Sequence, residues 1–547
     1  MAARSTTLFG ASLADKSNST SDHDASDHIA RSAASAGVAT MTSRILGVVR
    51  EQVLASLFGA GDAMDAYNVA FRIPNLLRDL FAEGAMSAAF VPTFTQQLTV
   101  NGKAGAWRLA HNVITALVIV TGTLSLLGMV LAHPLAAALA SSFASVPGKL
   151  ELTAFLAQIM LPTLMLVALA AAAMGMLNSL HHFFIPAFSP ATFNIVTIAC
   201  ALLLVPVMPR LGLAPISAIA LGTLLGAAAQ VAVQWPLLRR EGFRYRPHID
   251  WRDPALRRVL VLMGPGTVGM AATQVNNFVN TILATGQGTG AVSWLNYAFR
   301  LMYLPIGLFG VSIATAVLPM VSRQSATRNL TGVRATIREG MSLMLMLNVP
   351  ATVGLMVLAV PIIRLIFERG KFTAVDTAAT AGALQFYAVG LLGYSVVRIV
   401  SPTFYALGQN RTPVIVSTLS VAVNAMASLA LVQVLGYRGL ALGTSVASLF
   451  NATVLLVLLR RRIGGLEGRQ LLGSIARIVV ASAAMGVAAA TTQTMMSGWF
   501  PGDAIRLQAL RVGTSIAVAV CVLATGAWLL RIREFTRGVA LVTRRLR

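Results

Sequence analysis

The sequence predicts an all-α polytopic membrane protein: about fourteen transmembrane helices, in two pseudo-symmetric six-helix lobes followed by two extra helices. Three observations carry this. The 547 residues are 56% hydrophobic and only 11% charged, with a mean hydropathy of +0.74, whereas soluble domains carry about 25% charged residues. Apolar stretches long enough to cross a bilayer recur along the chain. And the chain repeats itself at a spacing of about 227 residues.

Residues 1–31 are Ser/Asp/His-rich with no apolar core of a signal peptide, and read as a disordered cytoplasmic tail. The expected spans follow near 35–58, 66–94, 107–133, 152–178, 186–208, 213–238, 257–285, 291–321, 338–367, 376–406, 413–434, 438–460, 473–497 and 508–530. This organises the chain into an N-terminal lobe 32–240, a basic linker 241–256, a C-terminal lobe 257–462, two extra helices within 463–532 and a basic tail 533–547.

A net charge of +23 would point to nucleic acid in a soluble protein. Here the basic residues lie in loops, so no nucleic-acid partner is expected. Arg239, Arg240, Arg244 and Arg246 follow the sixth span, Arg323, Arg328 and Arg334 the eighth, Arg460, Arg461 and Arg462 the twelfth, and Arg544, Arg545 and Arg547 close the chain. The alternate loops are nearly free of basic residues, which predicts cytoplasmic termini. Cys200 and Cys521 sit in apolar runs and the seven histidines lack ligand spacing, so neither a disulfide nor a metal site is expected.

The repeat is visible in order along the chain. Asn68-x-Ala70-Phe71-Arg72 returns as Asn296-x-Ala298-Phe299-Arg300, offset 228; Leu180 and Pro186 return as Leu407 and Pro413; Ala220-Leu221-Gly222-Thr223 returns as Ala441-Leu442-Gly443-Thr444. With six spans per half the repeats are parallel, a transporter architecture with its site between the halves.

The most informative stretch is 37–94. It is apolar enough for two spans yet carries Arg44, Arg50, Glu51, Asp65, Arg72, Arg78, Asp79 and Glu83. A charge near the bilayer centre costs roughly 2.5–3.5 kcal/mol, so such residues persist where they face a hydrated, protein-lined cavity. Gly37, Thr40, Arg44, Gly47 and Glu51 share one helical face, and Asp65, Asn68, Arg72, Asn75 and Asp79 share another. Pro74 interrupts the second stripe and predicts a kink.

Arg300 lies in SWLNYAFRLMYLPIGLFG, among apolar and aromatic neighbours. One reading is structural, a cap on backbone carbonyls or an ion pair with Asp65 or Glu83. The other is functional: Arg300, Arg44 and Arg50 in one cavity repel each other unless an anion joins them, and arginine's fork of donors suits a diphosphate. Arg78-Asp79 reads equally as an interfacial ion pair. Glu368 to Phe372 reads as a solvated outer turn, and Asn276, Asn277 and Asn424 as helix-to-helix hydrogen bonds rather than cation ligands. Gly286-x-Gly288-x-Gly290 has no strand before it, and no phosphate-binding P-loop is present, so ATP is not the expected energy source.

Residues 37–94, with 293–310, ERGKFTA (368–374) and FYALGQNRTPV (404–414), resemble the bacterial lipid II flippase (MurJ/MviN) family, a branch of the multidrug/oligosaccharidyl-lipid/polysaccharide (MOP) flippase superfamily. The resemblance runs from about residue 32 to the end. It implies a non-enzymatic, alternating-access flippase of the inner membrane that moves lipid II, the undecaprenyl-diphosphate-linked disaccharide-pentapeptide, to the periplasmic leaflet for peptidoglycan synthesis. It also implies two lobes around a central cavity, with the last two helices grooved for a lipid tail. Carried over, the cavity arginines are Arg44, Arg50 and Arg300, with Asp65 and Arg78 as further important positions. The candidate headgroup-binding set is Ser43, Arg44, Arg50, Glu51, Asp65, Arg72, Arg78, Glu83 and Arg300. Phe299 stands where some relatives have Asp, and Glu51 where Asp is common. No cofactor is expected, coupling to the membrane potential or to a monovalent cation stays open, and the partners expected are lipid II and membrane lipids, acting on a monomer. The rival readings are a cation-coupled drug or polysaccharide transporter, which an Arg-rich cavity disfavours, and a polytopic glycosyltransferase, which would need a large outer domain that no loop here is long enough to form.

Overall fold

A computed structural model describes residues 35–79, 84–465, 468–532 and 534–535. Among these the chain is helical, with no strand. The helices are α1 (35–58), α2 (Asp62–Arg78), α3 (Gly84–Val130), α4 (Ala132–Leu139), α5 (Lys149–Met160), α6 (Thr163–Ser179), α7 (Phe184–Leu204), α8 (Ser217–Arg240), α9 (Pro254–Thr285), α10 (Ala291–Pro305), α11 (Val311–Ala326), α12 (Leu330–Val357), α13 (Ala359–Phe367), α14 (Ala374–Ala406), α15 (Arg411–Leu435), α16 (Tyr437–Ile463), α17 (Gly468–Trp499) and α18 (Ile505–Leu529). Helix occupies each of the fourteen stretches expected to span. Ten described helical segments are long and apolar enough to cross a membrane, or eleven if the bent pair Ala291–Gly310 and Ser312–Ala326 is one span. α1 is not among them because Arg44, Arg50 and Glu51 crowd its short length, and α2 because it is only 17 residues long. The N-terminal tail, Glu83 and the C-terminal tail apart from 534–535 lie outside the described residues.

Contacts divide the chain into two compact units. They follow a different line from the sequence repeat, because the α1–α2 turn and the α4–α5 region pack with residues beyond 268 rather than with their own half. One unit comprises Met1–Val53, Ile73–Leu131 and Leu156–Thr267. Its core joins α3, α6 and α8 through Phe90, Phe94, Leu109, Val113, Met176 and Leu238. Inside α3, Gly102 takes φ 63°, and the helix breaks there, between the second and third expected spans.

The linker 241–256 is an ordered strap on the same unit. Phe243 is buried against Trp107 at 5.1 Å and His111 at 5.1 Å, and Tyr245 Oη lies 3.1 Å from Thr115 Oγ1. Asp253 caps α9 by accepting from Ala255 N at 2.7 Å, while Asn112 Nδ2 donates to its other oxygen at 2.9 Å. At the strap's start, hydrogen bonds from His182 and Lys103 hold the Glu241 carboxyl below its ordinary value.

The other unit comprises Leu54–Arg72, Ala132–Phe155 and Val268–Arg547. Its helices approach closely at small residues. On α14, Cβ atoms at Gly390 and Gly393 would stand 2.7 and 2.6 Å from Ser445 and Ser448 of α16. Those serines donate instead to the carbonyls of Phe386 (2.7 Å) and Gly390 (3.0 Å). α14 begins at a reciprocal cap: Asp376 N donates to Thr373 Oγ1 at 3.3 Å and Thr373 N to Asp376 Oδ2 at 2.9 Å. The turn before it is docked rather than solvated. Lys371 N donates to Ser56 O at 2.8 Å, and Gly370 has φ +58° with its Cβ position 2.2 Å from that oxygen.

Candidate functional site

The charged hairpin divides into an α1 part and an α2 part. On α1, Ser43, Arg44 and Arg50 are half-buried and Glu51 is buried. Arg50 donates through Nη2 at 2.6 Å and Nε at 3.2 Å to Glu51 Oε1, and its guanidinium lies 5.4 Å from the centroid of the Phe193 ring. The next residue of α7, Asn194, donates to Ser43 O at 3.1 Å and occupies the space a Cβ at Gly47 would face, at 3.7 Å. α7 therefore braces α1 along the turn that carries the arginines. The sequence reading missed Phe193 and Asn194; an asparagine in an otherwise apolar span was the available signal. Arg44 makes no hydrogen bond or ion pair with any described residue.

On α2, Asp65 is fully buried and its carboxylate is spoken for. Oδ1 accepts from Ser293 N (3.0 Å) and Ser293 Oγ (2.7 Å), and Oδ2 from Gly290 N (2.7 Å), with Lys149 Nζ at 3.4 Å. The structural alternative in which Asp65 pairs with Arg300 is thus not what is found. One turn on, Asn68 donates to Ser293 Oγ at 3.1 Å and accepts from Asn296 Nδ2 at 3.0 Å, and Asn296 Oδ1 accepts from Arg300 Nε at 3.2 Å. A continuous chain of bonds runs from the Asp65 carboxylate through Ser293, Asn68 and Asn296 to the Arg300 guanidinium.

Lys149 is a third residue the sequence reading missed. It is buried, 2.7 Å from Asp62 Oδ1 and 4.1 Å from the Phe143 ring centroid. Burial alone would raise the Asp62 carboxyl, but hydrogen bonds from Lys149 and Thr289 and the Lys149 charge outweigh it and hold it below its ordinary value. Arg72 is half-buried on the α2 face that carries Asn68. Arg78 pairs with Asp79, Nη2 to Oδ1 at 2.9 Å.

Asn276 and Asn424 bond helix to helix as expected, whereas Asn277 donates to Gln274 Oε1 of its own helix at 3.4 Å. Asn424 Nδ2 donates to Asn276 Oδ1 at 2.7 Å and Asn280 Oδ1 at 2.8 Å, beside a cavity of about 160 Å³ whose polar lining is Asn, Ser, Thr and Tyr. No metal-holding group of His, Cys, Asp and Glu occurs among the described residues.

Residues 54–510 match the family model described as lipid II flippase MurJ. The chain belongs to the MurJ family. Among its relatives is the probable lipid II flippase MurJ of Rhizobium meliloti, 36% identical over 468 residues, which covers 83% of this chain and 85% of that protein. The lipid II flippase MurJ of Burkholderia cenocepacia is 34% identical, covering 77% and 82%. Of solved structures, a lipid II flippase MurJ in an inward closed conformation aligns with TM-score 0.73 at 25% identity, covering 90% of this chain and 99% of the other. An inward-facing MATE transporter of the MOP superfamily shares the fold, with TM-score 0.66, 17% identity and coverage of 78% and 96%. Arg300, Asp65, Arg72 and Arg78 fall inside the MurJ-matched residues, and Arg44 and Arg50 precede them.

Proposed function

We propose that this chain is a lipid II flippase of the bacterial inner membrane. It takes the undecaprenyl-diphosphate-linked disaccharide-pentapeptide from the cytoplasmic leaflet and releases it to the periplasmic one. The observation that supports this best is a braced arginine on an intramembrane helix, Arg50 on Glu51 and Phe193, in a chain of the MurJ family. An Arg kept in so apolar a stretch carries a cost of roughly 2.5–3.5 kcal/mol, and a guanidinium held in place by Glu51 and Phe193 is suited to an anionic ligand.

In this reading Arg44, Arg50 and Arg300 are the diphosphate-binding residues, and Ser43, Glu51, Arg72 and Arg78 are further headgroup-binding candidates. Asp65 serves differently. With four donors on it, it fastens α2 to the start of α10, and release outward requires those bonds to open in an alternating-access cycle. Both termini are cytoplasmic, and the protein works as a monomer without a catalytic step or nucleic acid. A headgroup of charge about −2 moving outward across a potential negative inside gains roughly 2.3 kcal/mol per charge per 100 mV. The neutral lining around Asn424 favours this drive over cation coupling. A drug transporter of the same superfamily would want carboxylates where these arginines stand.

The test is depletion in cells with a leaflet-specific assay of lipid II. Accumulation in the inner leaflet, reversed by the wild-type chain, is the expected result; unchanged leaflet distribution would defeat the proposal.

A further inference from the structure

α14 carries one charged side chain after Asp376, and it is Arg398. It stands eight residues before the end of the helix at Ala406, which is about 12 Å along the axis. A lone arginine at such a place usually stretches its stem along the helix to bring its head to the interface. Arg398 does otherwise: its Nη2 donates to the Tyr303 phenol of α10, and its guanidinium lies 6.0 Å from the centroid of that ring.

The placement is built from two helical faces. On α10, Asn296, Phe299, Arg300 and Tyr303 fall within one side of the helix; on α14, Tyr387, Tyr394 and Arg398 do the same. The two faces meet at Phe299, whose ring lies 5.5 Å from Tyr387 and 6.5 Å from Tyr394, both edge to face, and 5.8 Å from Tyr303. This aromatic wedge fixes the side of α10 that presents Arg300 and Tyr303. Tyr303 follows Arg300 by three residues, about 4.5 Å along the axis. Tyr303 and Arg398 are both exposed.

Arginine has five N–H donors. Tyr303 takes one, and no other described residue accepts from Arg398. The result is an exposed guanidinium, held away from the helix end by a tyrosine that follows Arg300 by one turn on the same side of α10. We propose that Arg398, positioned by Tyr303, is a further anion-binding residue of the headgroup site, taking an anionic group of the lipid-linked substrate. This rests on the flippase reading, and the substrate of that reading offers two anions of suitable chemistry, the diphosphate and a carboxylate of its peptide.

The experiment compares binding of two probes to the purified full-length protein in lipid nanodiscs. One probe is the undecaprenyl-diphosphate disaccharide carrying the pentapeptide, the other the same lipid without peptide. Arg398→Gln is expected to bind the peptide-bearing probe about tenfold or more weakly, since a charge-assisted bond is lost, with an unchanged melting temperature. A loss on both probes assigns the anion as the diphosphate; a loss confined to the peptide-bearing probe assigns it as a carboxylate. Wild-type affinity of the variant for both probes overturns the proposal, and leaves Arg398 a packing residue. Should that variant not fold, Tyr303→Phe, which frees the guanidinium from its phenol, is expected to weaken at least one probe about threefold, and unchanged affinity for both overturns the proposal. A wild-type protein that binds neither probe overturns the flippase reading itself, and the role of Arg398 with it.

Discussion

The side-chain oxygen of Asn68 accepts a hydrogen bond at 3.0 Å from the side-chain amide of Asn296, and the two residues are 228 apart, the offset at which the sequence repeats around them. Asp65 and Ser293 share that offset and bond each other at 2.7 Å. α2 and α10 therefore meet through residues that the sequence repeat equates.

A double-mutant cycle on this pair is expected to show coupling. Asn68→Ala and Asn296→Ala should each lower the unfolding free energy, and the double variant should lose less than their sum by about 0.6 kcal/mol, the usual size of such bonds in membranes. Thermal or denaturant unfolding in detergent measures it. Strict additivity would mean the contact carries no energy.

Arg44, Arg50 and Arg300 are each expected to be indispensable. Alanine or lysine at any one should fail to support growth of a depleted strain while reaching the membrane at normal levels, because lysine supplies charge without the fork. Phe193→Ala, which removes only the brace of Arg50, should slow growth without abolishing it. Normal growth with two of the three arginines as alanine would sink the diphosphate role.

Two glycines with left-handed backbones should respond differently to alanine. At Gly370, with φ +58°, a Cβ falls 2.2 Å from Ser56 O; at Gly408, with φ +74°, nothing lies within 4 Å. Gly408→Ala meets only the backbone penalty of roughly 1–2 kcal/mol, whereas Gly370→Ala must also undock the 368–373 turn. Melting temperatures should rank wild type, Gly408→Ala, then Gly370→Ala, and equal effects would mean the turn is not seated on Ser56.

The last two helices sort their small residues by face. Ala481, Ser482 and Gly486 of α17 are packed, with a Cβ at Gly486 only 2.6 Å from Val353, while Ala483 and Ala517 are exposed. Ala483→Trp and Ala517→Trp are expected to fold and to block flipping by filling a lipid-tail groove, read as inner-leaflet lipid II with a membrane-expression control. Gly486→Trp should lower expression instead. Unimpaired flipping by both exposed-site variants would mean the tail travels elsewhere.

The all-helical membrane architecture and the position of most of the long apolar helices were legible in the sequence, because lipid admits few backbone solutions and apolar length reports them directly. The weight of the α1–α2 hairpin was legible for the same reason: charge in an apolar span is costly, so it stands out. Partners were not legible. Whether Asp65 would meet Arg300 or Ser293, which phenylalanine would lie by Arg50, and that Lys149 would turn inward to Asp62 depend on contacts between residues tens to hundreds of positions apart. The same holds for the compact units, whose line departs from the repeat at 54–72 and 132–155. Hydropathy is a property of each segment alone, while a hydrogen bond needs two groups within about 3 Å; only the tertiary structure decides which two.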